Sequence, residues 1–501
     1  MPADPTGSLR RAVRGRVITE ANGLAPFRQD ESHLSGVPVA VVAPADADDV
    51  VDLVRWARRS RTALVARGGG TSLDGESAPT QGGVVVDLSG WSRILEVDLD
   101  GPSARVEAGV VNLDLHRALL PRGLFFPPNP GSWTRATIGG NVATNASGMR
   151  SYRYGSTRAW VREAEVVLGT GARVRLGSRV AKRSVGPDLL QLFIGSEGTL
   201  GIATEVTVRL APLPAVRQGL VAPLPRSVSL ASLAGALSRI PGSGLSAMEY
   251  LDGGCAATLS ERRAAPWPAG AALLLLEVEA ADAAEAAARL DRVRRVLAGA
   301  NAADGLTLFP DADELWTLRG ASGDVLNERM GQHIREDVAV PLPQVDALVA
   351  EVAEISRREN VPCLLFAHLG EGSLHPNYAV DPSTPTADRI RTALFRAARS
   401  LGGTISAEHG IGVVKRPFLT DELGADAVAL LAAVKRACDP DGVMNPGKLY
   451  PTPPSAARRS SRSPSAPQGG RARKGAPTGG RGRSGRSRAS RPVPRTRRAR
   501  P

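Results

Sequence analysis

Cysteine is nearly absent. The three in 501 residues, Cys255, Cys363 and Cys438, are odd in number and far apart. They build no disulfide framework, CxxC pair or iron–sulfur run, which suits a reducing cytoplasm. Long apolar runs are lacking too. Crossing a bilayer takes about 18 apolar residues, and the longest candidate, Ala269 to Val278, is broken by Gly270 and Glu277. The opening stretch MPADPTGSLRRAVRGR has no apolar core of a secretory signal. A cytoplasmic protein is expected, with peripheral attachment to a membrane left open. Aromatics are scarce at 4%. With Ala, Val, Leu and Arg so plentiful, this reads as coding bias rather than function.

Acid is missing from one region. The chain holds 63 Lys+Arg and 50 Asp+Glu, a formal charge of +13. From Pro451 onward there are 14 Arg, one Lys (Lys474) and no acid, so this tail carries +15 and residues 1–450 carry −2. A basic nucleic-acid-binding fold is therefore disfavoured for the body. The tail is Pro, Ser, Gly and Arg with almost no aliphatic residue, and it is expected to be disordered. Runs such as Gly480 to Arg486 attract polyanions by counterion release. No aromatic interleaves them as a stacking platform, so nucleic acid is expected to bind weakly at most, and a solvated extension is the simpler reading.

What is present describes a large globular protein. An apolar content of 42% supports a large core, and the length suggests about two to four domains. Val37 to Val42 reads as a strand, and Asp46 can cap a helix carrying Val50, Val51, Leu53, Val54 and Ala57. Strands follow at Ala63 to Ala66, Val84 to Leu88, Arg105 to Ala108, Ala164 to Leu168 and Arg173 to Leu176, with a helix from Leu113 to Leu120. After a Pro-rich junction near 211–226, strands at Leu273 to Val278 and Pro362 to Ala367 alternate with helices at Ala280 to Ala298, Pro343 to Arg358 and Ala387 to Leu401. This is an α+β pattern around an antiparallel sheet. A helix from Ala425 to Cys438 closes the folded part.

Three glycine-rich segments stand out. Arg67-Gly68-Gly69-Gly70-Thr71-Ser72 follows a strand, and its backbone N–H groups can converge on a phosphate. Residues 128–148 read PNPGSWTRATIGGNVATNASG, and residues 194–202 read IGSEGTLGI. One such cluster is an ordinary tight turn; three in one domain suggest backbone packed against a flat polar ligand.

RGGGTSL, ATIGGNVATNASG and IGSEGTLGI, in that order, resemble the FAD-binding domain of the vanillyl-alcohol oxidase/p-cresol methylhydroxylase superfamily. FAHLGEGSLHPN at 366–377, GGTISAEHGIG at 402–412 and MNPGKLY at 444–450 resemble the FAD-linked D-2-hydroxyacid dehydrogenases, the group of D-lactate, glycolate and D-2-hydroxyglutarate dehydrogenases. The resemblance spans roughly 35–450. It implies a two-domain α+β flavoprotein: a helical lead-in (1–34), an FAD-binding domain of two small α+β subdomains (35–212), a substrate or cap domain with an antiparallel sheet flanked by helices (213–424), and a C-terminal return (425–450) before the tail (451–501). FAD would lie against Arg67 to Leu73 and Pro128 to Gly148, with Thr137, Gly139, Gly140, Asn141 and Asn145 among the contacts. Glu197, Gly198, Gly201 and Ile202 would hold the ring and adenine side, and Asn445 would approach the flavin from the C-terminal return. The first glycine loop has no His, so FAD is expected to be non-covalent.

Only six His exist: His33, His116, His333, His368, His375 and His409. His368 and His375 flank Glu371, and His409 follows Glu408. Spacing alone leaves a divalent first-row metal site and ordinary structural histidines evenly open. The resemblance implies His368, His375 and Glu408 as ligands, to Zn or Mn, and His409 as general base. The family pattern GDGN is here Gly370-Glu371-Gly372-Ser373, beside the ligands. The resemblance also implies Arg319 as carboxylate anchor. Arg335 stands where D-2-hydroxyglutarate enzymes carry a Lys, and Gly323 where some carry a hydroxyl residue; a solvated or capping role for either Arg stays open. Lys415 reads as structural. The implied activity is hydride transfer from a D-2-hydroxy acid to the flavin. Electrons would leave to a separate acceptor, a flavoprotein, cytochrome or quinone. An oxidase returning electrons to O2, a nucleic-acid-binding protein acting through the tail, and a homodimer also remain open.

Overall fold

The computed structural model describes residues 5–262, 267–268 and 270–451; the Arg-rich tail beyond Pro451 lies outside them. Three larger sheets carry the fold. The first orders Arg16–Ile18, Ala40–Ala43, Val84–Asp87 and Leu64–Arg67, the last three parallel. The helix Ala47–Ser60 covers it. Asp46 caps this helix by accepting the Asp49 N–H, and Val50, Leu53, Val54 and Ala57 face the core at helical spacing. The second sheet orders Ile94–Asp98, Ser103–Glu107, Gly201–Arg209, Val161–Leu168 and Arg173–Gly177, all antiparallel.

The third sheet is antiparallel and has eight strands. Thr307–Phe309, Val216–Leu224, Ala272–Ala280, Leu245–Leu251, Cys363–His368 and Ser373–Tyr378 run in that order, and the short Ile334–Arg335 and Val338–Ala339 both pair with the last. Alternation divides its residues between two faces. Leu274, Leu276 and Val278 enter a core with the helices Leu230–Ser238, Ala283–Gly299, Val345–Glu359 and Pro385–Ser400. Leu273 and Leu275 enter a smaller core with the helices Gly253–Arg262 and Ala312–Met330. The α+β architecture expected from the pattern is the one observed.

Several details differ from the sequence reading. The strand expected from Val37 begins at Ala40, and Val37 and Val39 are exposed. The lead-in is not helical throughout: Arg16–Ile18 is a strand, because Val17 is buried in the first core and its backbone pairs with Val42. The Pro-rich junction contains the strand Val216–Leu224. Pro223 is tolerated there because the outer neighbour pairs only with Gly219 to Val221. The helix placed from Ala280 starts at Ala283, since Asp282 accepts the Glu285 N–H as its cap while Ala280 still belongs to a strand. The chain end returns to the first sheet, where Leu64 donates to the Val443 carbonyl and Asn445 donates to the Leu64 carbonyl, both at 2.8 Å. No helix among the described residues is long and apolar enough to cross a membrane.

The second face of the large sheet turns from apolar to charged along its length. Past Leu273 and Leu275 the strand Ala272–Ala280 presents Glu277 and Glu279, both buried. Glu277 takes Arg150 through both oxygens (3.0 and 3.3 Å), Arg217 at 2.8 Å, Ser246 Oγ at 2.7 Å and the Trp316 indole N–H. Glu279 takes the Tyr154 hydroxyl at 2.6 Å and Arg153 at 3.2 Å. Removing one partner of such a set strands buried charge. Glu277→Ala is expected to cost about 3–5 kcal/mol, read as a lowered urea midpoint. A change under about 0.5 kcal/mol, as at an ordinary surface site, would refute this role.

Candidate active site

The glycine loop, the 128–149 block and the charged end of the large sheet enclose a cavity of about 850 Å³. That is near the upper end of ordinary ligand sites, roughly 300–1,000 Å³. Gly68 to Leu73 line it together with Pro128, Thr137, Gly140, Asn141, Gly148, Glu197 and Gly198. The loop is pressed against its neighbour: a Cβ on Gly68 would meet Thr137 Oγ1 at 2.2 Å, and one on Gly69 the Arg135 carbonyl at 2.1 Å. The backbone amides of Gly68 to Ser72 meet no acceptor among the described residues. Consecutive unpaired N–H groups on a cavity wall are what a pyrophosphate requires, so this cradle fits FAD.

Not every expected contact reaches this cavity. Arg67, Gly139, Gly201 and Ile202 line a small adjoining recess of about 60 Å³, with Gly68 and Thr137. Asn145 and Asn445 line neither space. Asn145 ends the helix Ile138–Thr144 with φ +55°, and its Oδ1 accepts Ser156 Oγ at 3.0 Å and the Arg158 N–H at 2.9 Å. Asn445 donates to the Glu76 carbonyl at 2.8 Å and the Glu197 carbonyl at 2.7 Å. Both sit behind the wall and brace it.

The histidines meet at the opposite wall. His368 ends the strand Cys363–His368, and His375 lies on its hairpin partner Ser373–Tyr378. Glu408 and His409 come from a loop packed across them. The ligand atoms of His368, His375 and Glu408 lie within 4.8 Å of one another. His368 Nε2 is 3.2 Å from Glu408 Oε1, and His375 Nε2 is 3.5 Å from the same oxygen. Burial lowers His375 to about 3, helped by charge on His368, so it stays neutral, and neither of its ring nitrogens makes a hydrogen bond. Burial opposes a charge on His368, but Glu249 and Glu408 outweigh it and raise His368 well above its usual value. The free ring nitrogens of His375, with His368 Nε2 and Glu408 once a cation displaces the proton between them, fit a divalent cation.

Two positioning carboxylates escaped the sequence reading. Glu249 accepts His368 Nδ1–H at 2.5 Å. That leaves Nε2 facing Glu408, the arrangement by which a carboxylate orients a metal-binding imidazole. Glu249 also lies 3.5 Å from Arg319, which stacks over Phe366 at 4.5 Å. Asp337 Oδ2 accepts the backbone N–H groups of Ala407, Glu408 and His409 at 3.0, 2.9 and 2.7 Å, and Ser406 Oγ at 3.1 Å. Lys415 is fully buried between Asp74 at 3.1 Å and Asp337 at 3.6 Å, the structural place expected of it. Arg335 lines the cavity and donates to His333 Nε2 at 2.9 Å. Burial lowers His409, against the pull of Asp337, and its Nδ1 has no hydrogen-bond partner. A signal for Glu249 and Glu277 existed: Glu249 is a lone acid inside the apolar strand Leu245–Leu251, and Glu277, with Glu279, interrupts the apolar strand Ala272–Ala280.

Residues 38–177 match the FAD binding domain family, and residues 213–449 match the family of FAD linked oxidases, C-terminal domain. The glycolate oxidase subunit GlcD of Bacillus subtilis is 34% identical over 83% of this chain and 89% of its own. The protein belongs to the FAD-linked oxidase family. The D-2-hydroxyglutarate dehydrogenase of Xanthomonas citri pv. viticola is 32% identical over 89% of this chain and 96% of its own. In fold, the chain is similar to p-cresol methylhydroxylase with substrate bound, at a TM-score of 0.75 and 16% identity, covering 89% of this chain and 97% of that one. The FAD-linked family expected from the motifs is thus the one found, the fold is that of p-cresol methylhydroxylase, and these likenesses favour an oxidoreductase over a nucleic-acid-binding scaffold. Glu249→Gln is expected to weaken Zn or Mn binding about 10- to 100-fold, measured by chelator competition. Unchanged affinity would separate Glu249 from the cation site.

Proposed function

We propose that the protein is a FAD-dependent dehydrogenase that oxidises a D-2-hydroxy acid to the 2-oxo acid. The observation that carries this reading is His409: a half-buried imidazole that lines the same cavity as the glycine cradle, beside His368, His375 and Glu408. The relatives named above point the same way, since glycolate and D-2-hydroxyglutarate are both 2-hydroxy acids.

FAD would be held non-covalently by Gly68 to Leu73, Pro128, Thr137, Gly140, Asn141, Gly148, Glu197 and Gly198. Arg67, Gly139, Gly201 and Ile202 shape the adjoining recess, and Asn145 and Asn445 act as braces. When bound, FAD supplies a hydride acceptor at its N5. His368, His375 and Glu408 would hold a Zn or Mn ion, which would supply a Lewis acid for the substrate hydroxyl. The remaining work falls to side chains. Arg319, set by Glu249 and Phe366, and Arg335, set by His333, receive carboxylate oxygens. His409 takes the hydroxyl proton while the Cα hydrogen leaves, and desolvation keeps the ring neutral and ready to accept it. Asp337 fixes the base by gripping its backbone. Electrons then pass to a separate acceptor.

The decisive test is an anaerobic titration of the purified protein with a panel of D- and L-2-hydroxy acids, following the oxidised flavin absorbance. One D-acid is expected to bleach it while its L-enantiomer does not; no bleaching by any acid would refute the reading. His409→Ala is expected to keep FAD and slow flavin reduction by about 10²- to 10⁴-fold. In His368→Ala and His375→Ala, metal content and turnover should fall together. Turnover that survives metal loss would remove the cation from the mechanism.

A further inference from the structure

Glu76 lies just past the glycine loop and has no role in the scheme above. It is 4% exposed and lines the cavity. Its Oε2 accepts the Asp74 N–H at 3.1 Å, while Oε1 has no partner among the described residues. Glu197 shares its space: a Cβ built on Gly410 would lie 2.6 Å from Glu76 Oε1 and 2.9 Å from Glu197 Oε1. The two carboxyls are not equivalent. Glu197 Oε1 accepts the Ile411 N–H at 2.7 Å and Oε2 the Gly412 N–H at 2.9 Å, both favouring a carboxylate. Glu76 has one such donor. Two neighbouring buried carboxyls do not both ionise, so the proton goes to the less well solvated Glu76.

The charged surroundings agree. Burial, then the charges of Glu197, Asp74 and Asp30, push Glu76 well above the usual carboxylate range. Burial raises Glu197 as well, against its two backbone donors. The nearby cations are engaged elsewhere. Lys415 pairs with Asp74 and faces Asp337. Lys448, lowered to about 8 by burial, donates to the backbone carbonyls of Glu76 and Ala78 rather than to the Glu76 carboxyl.

We infer that Glu76 is a neutral carboxylic acid whose hydroxyl donates a hydrogen bond to the isoalloxazine of bound flavin, at an atom that gains electron density on reduction. This rests on the flavin reading above. Glu76 adjoins Gly410, the residue after His409, so it stands at the reacting end of the cavity. A donor there binds reduced flavin more strongly than oxidised flavin and raises the reduction potential.

The test is a reductive titration of the holoprotein against a dye of known potential, with no substrate. Glu76→Leu removes the donor and keeps the bulk. It is expected to shift the equilibrium about tenfold against reduction, about 30 mV for two electrons. Glu76→Gln keeps a neutral donor and is expected to stay within about threefold of wild type. Infrared difference spectra on reduction should show a protonated-carboxyl band in wild type that Glu76→Gln lacks. Wild-type potential in a flavin-loaded Leu variant, a Gln variant that is easier to reduce by tenfold, or no such band in wild type would each overturn the inference while leaving the enzyme reading intact. Wild-type protein that binds no FAD would overturn both.

Discussion

Glu249, Glu277 and Glu279 stand on one face of the largest sheet, and all three are buried. A carboxylate in that position costs several kcal/mol unless cations and donors surround it. The fold answers by drawing partners across from other elements. Arg150, Arg153 and Tyr154 come from just past the glycine-rich block, Arg217 from the neighbouring strand, and Arg319 from the helix Ala312–Met330. These ties join the N-terminal segments to the C-terminal sheet, and the cavity is what lies between them. The same charge that is expensive to bury therefore decides how the cofactor cradle faces the histidine cluster.

Asp337 extends this logic to the loop carrying Glu408 and His409. One oxygen gathers three successive backbone N–H groups and a serine hydroxyl, and Lys415 balances the charge from behind. Burial resists ionisation of Asp337, but His409 and Lys415 keep it below the usual carboxylate range. Glu197 does the same for the next two residues through Ile411 and Gly412. The loop is held by its backbone, so the side chains of Glu408 and His409 remain available to the cavity.

Much of the site was legible because its residue types are scarce. Six histidines in 501 residues leave few groupings, and His368, His375 and His409 do meet, with ring centroids 4.9 and 5.2 Å apart for the two adjacent pairs. Glycine segments were legible because side-chain-free backbone has few other uses. The bracing residues were harder. Asn145 and Asn445 stand inside cofactor motifs, yet Asn145 accepts the Ser156 hydroxyl and the Arg158 N–H and Asn445 donates to two backbone carbonyls, and nothing in a motif separates a contact from its support. Glu277 was visible only as an interruption of an apolar run, although that interruption is its function: an acid in a buried strand must have partners elsewhere.

The sequence by itself determined the architecture class, the cofactor motifs and the histidines that meet in the cavity. Those depend on local periodicity, on caps such as Asp46, and on residue types that few other structures require. Only the tertiary structure decided which carboxylates orient those side chains, that Asn145 and Asn445 brace rather than line the cavity, and that Glu76 and Glu197 share one small space. Each of those facts depends on long-range pairing: Glu249 meets a residue 119 positions away, and Asn445 one 369 positions away. Burial and charge neutralisation act on the folded neighbourhood, and no pattern along the chain encodes them.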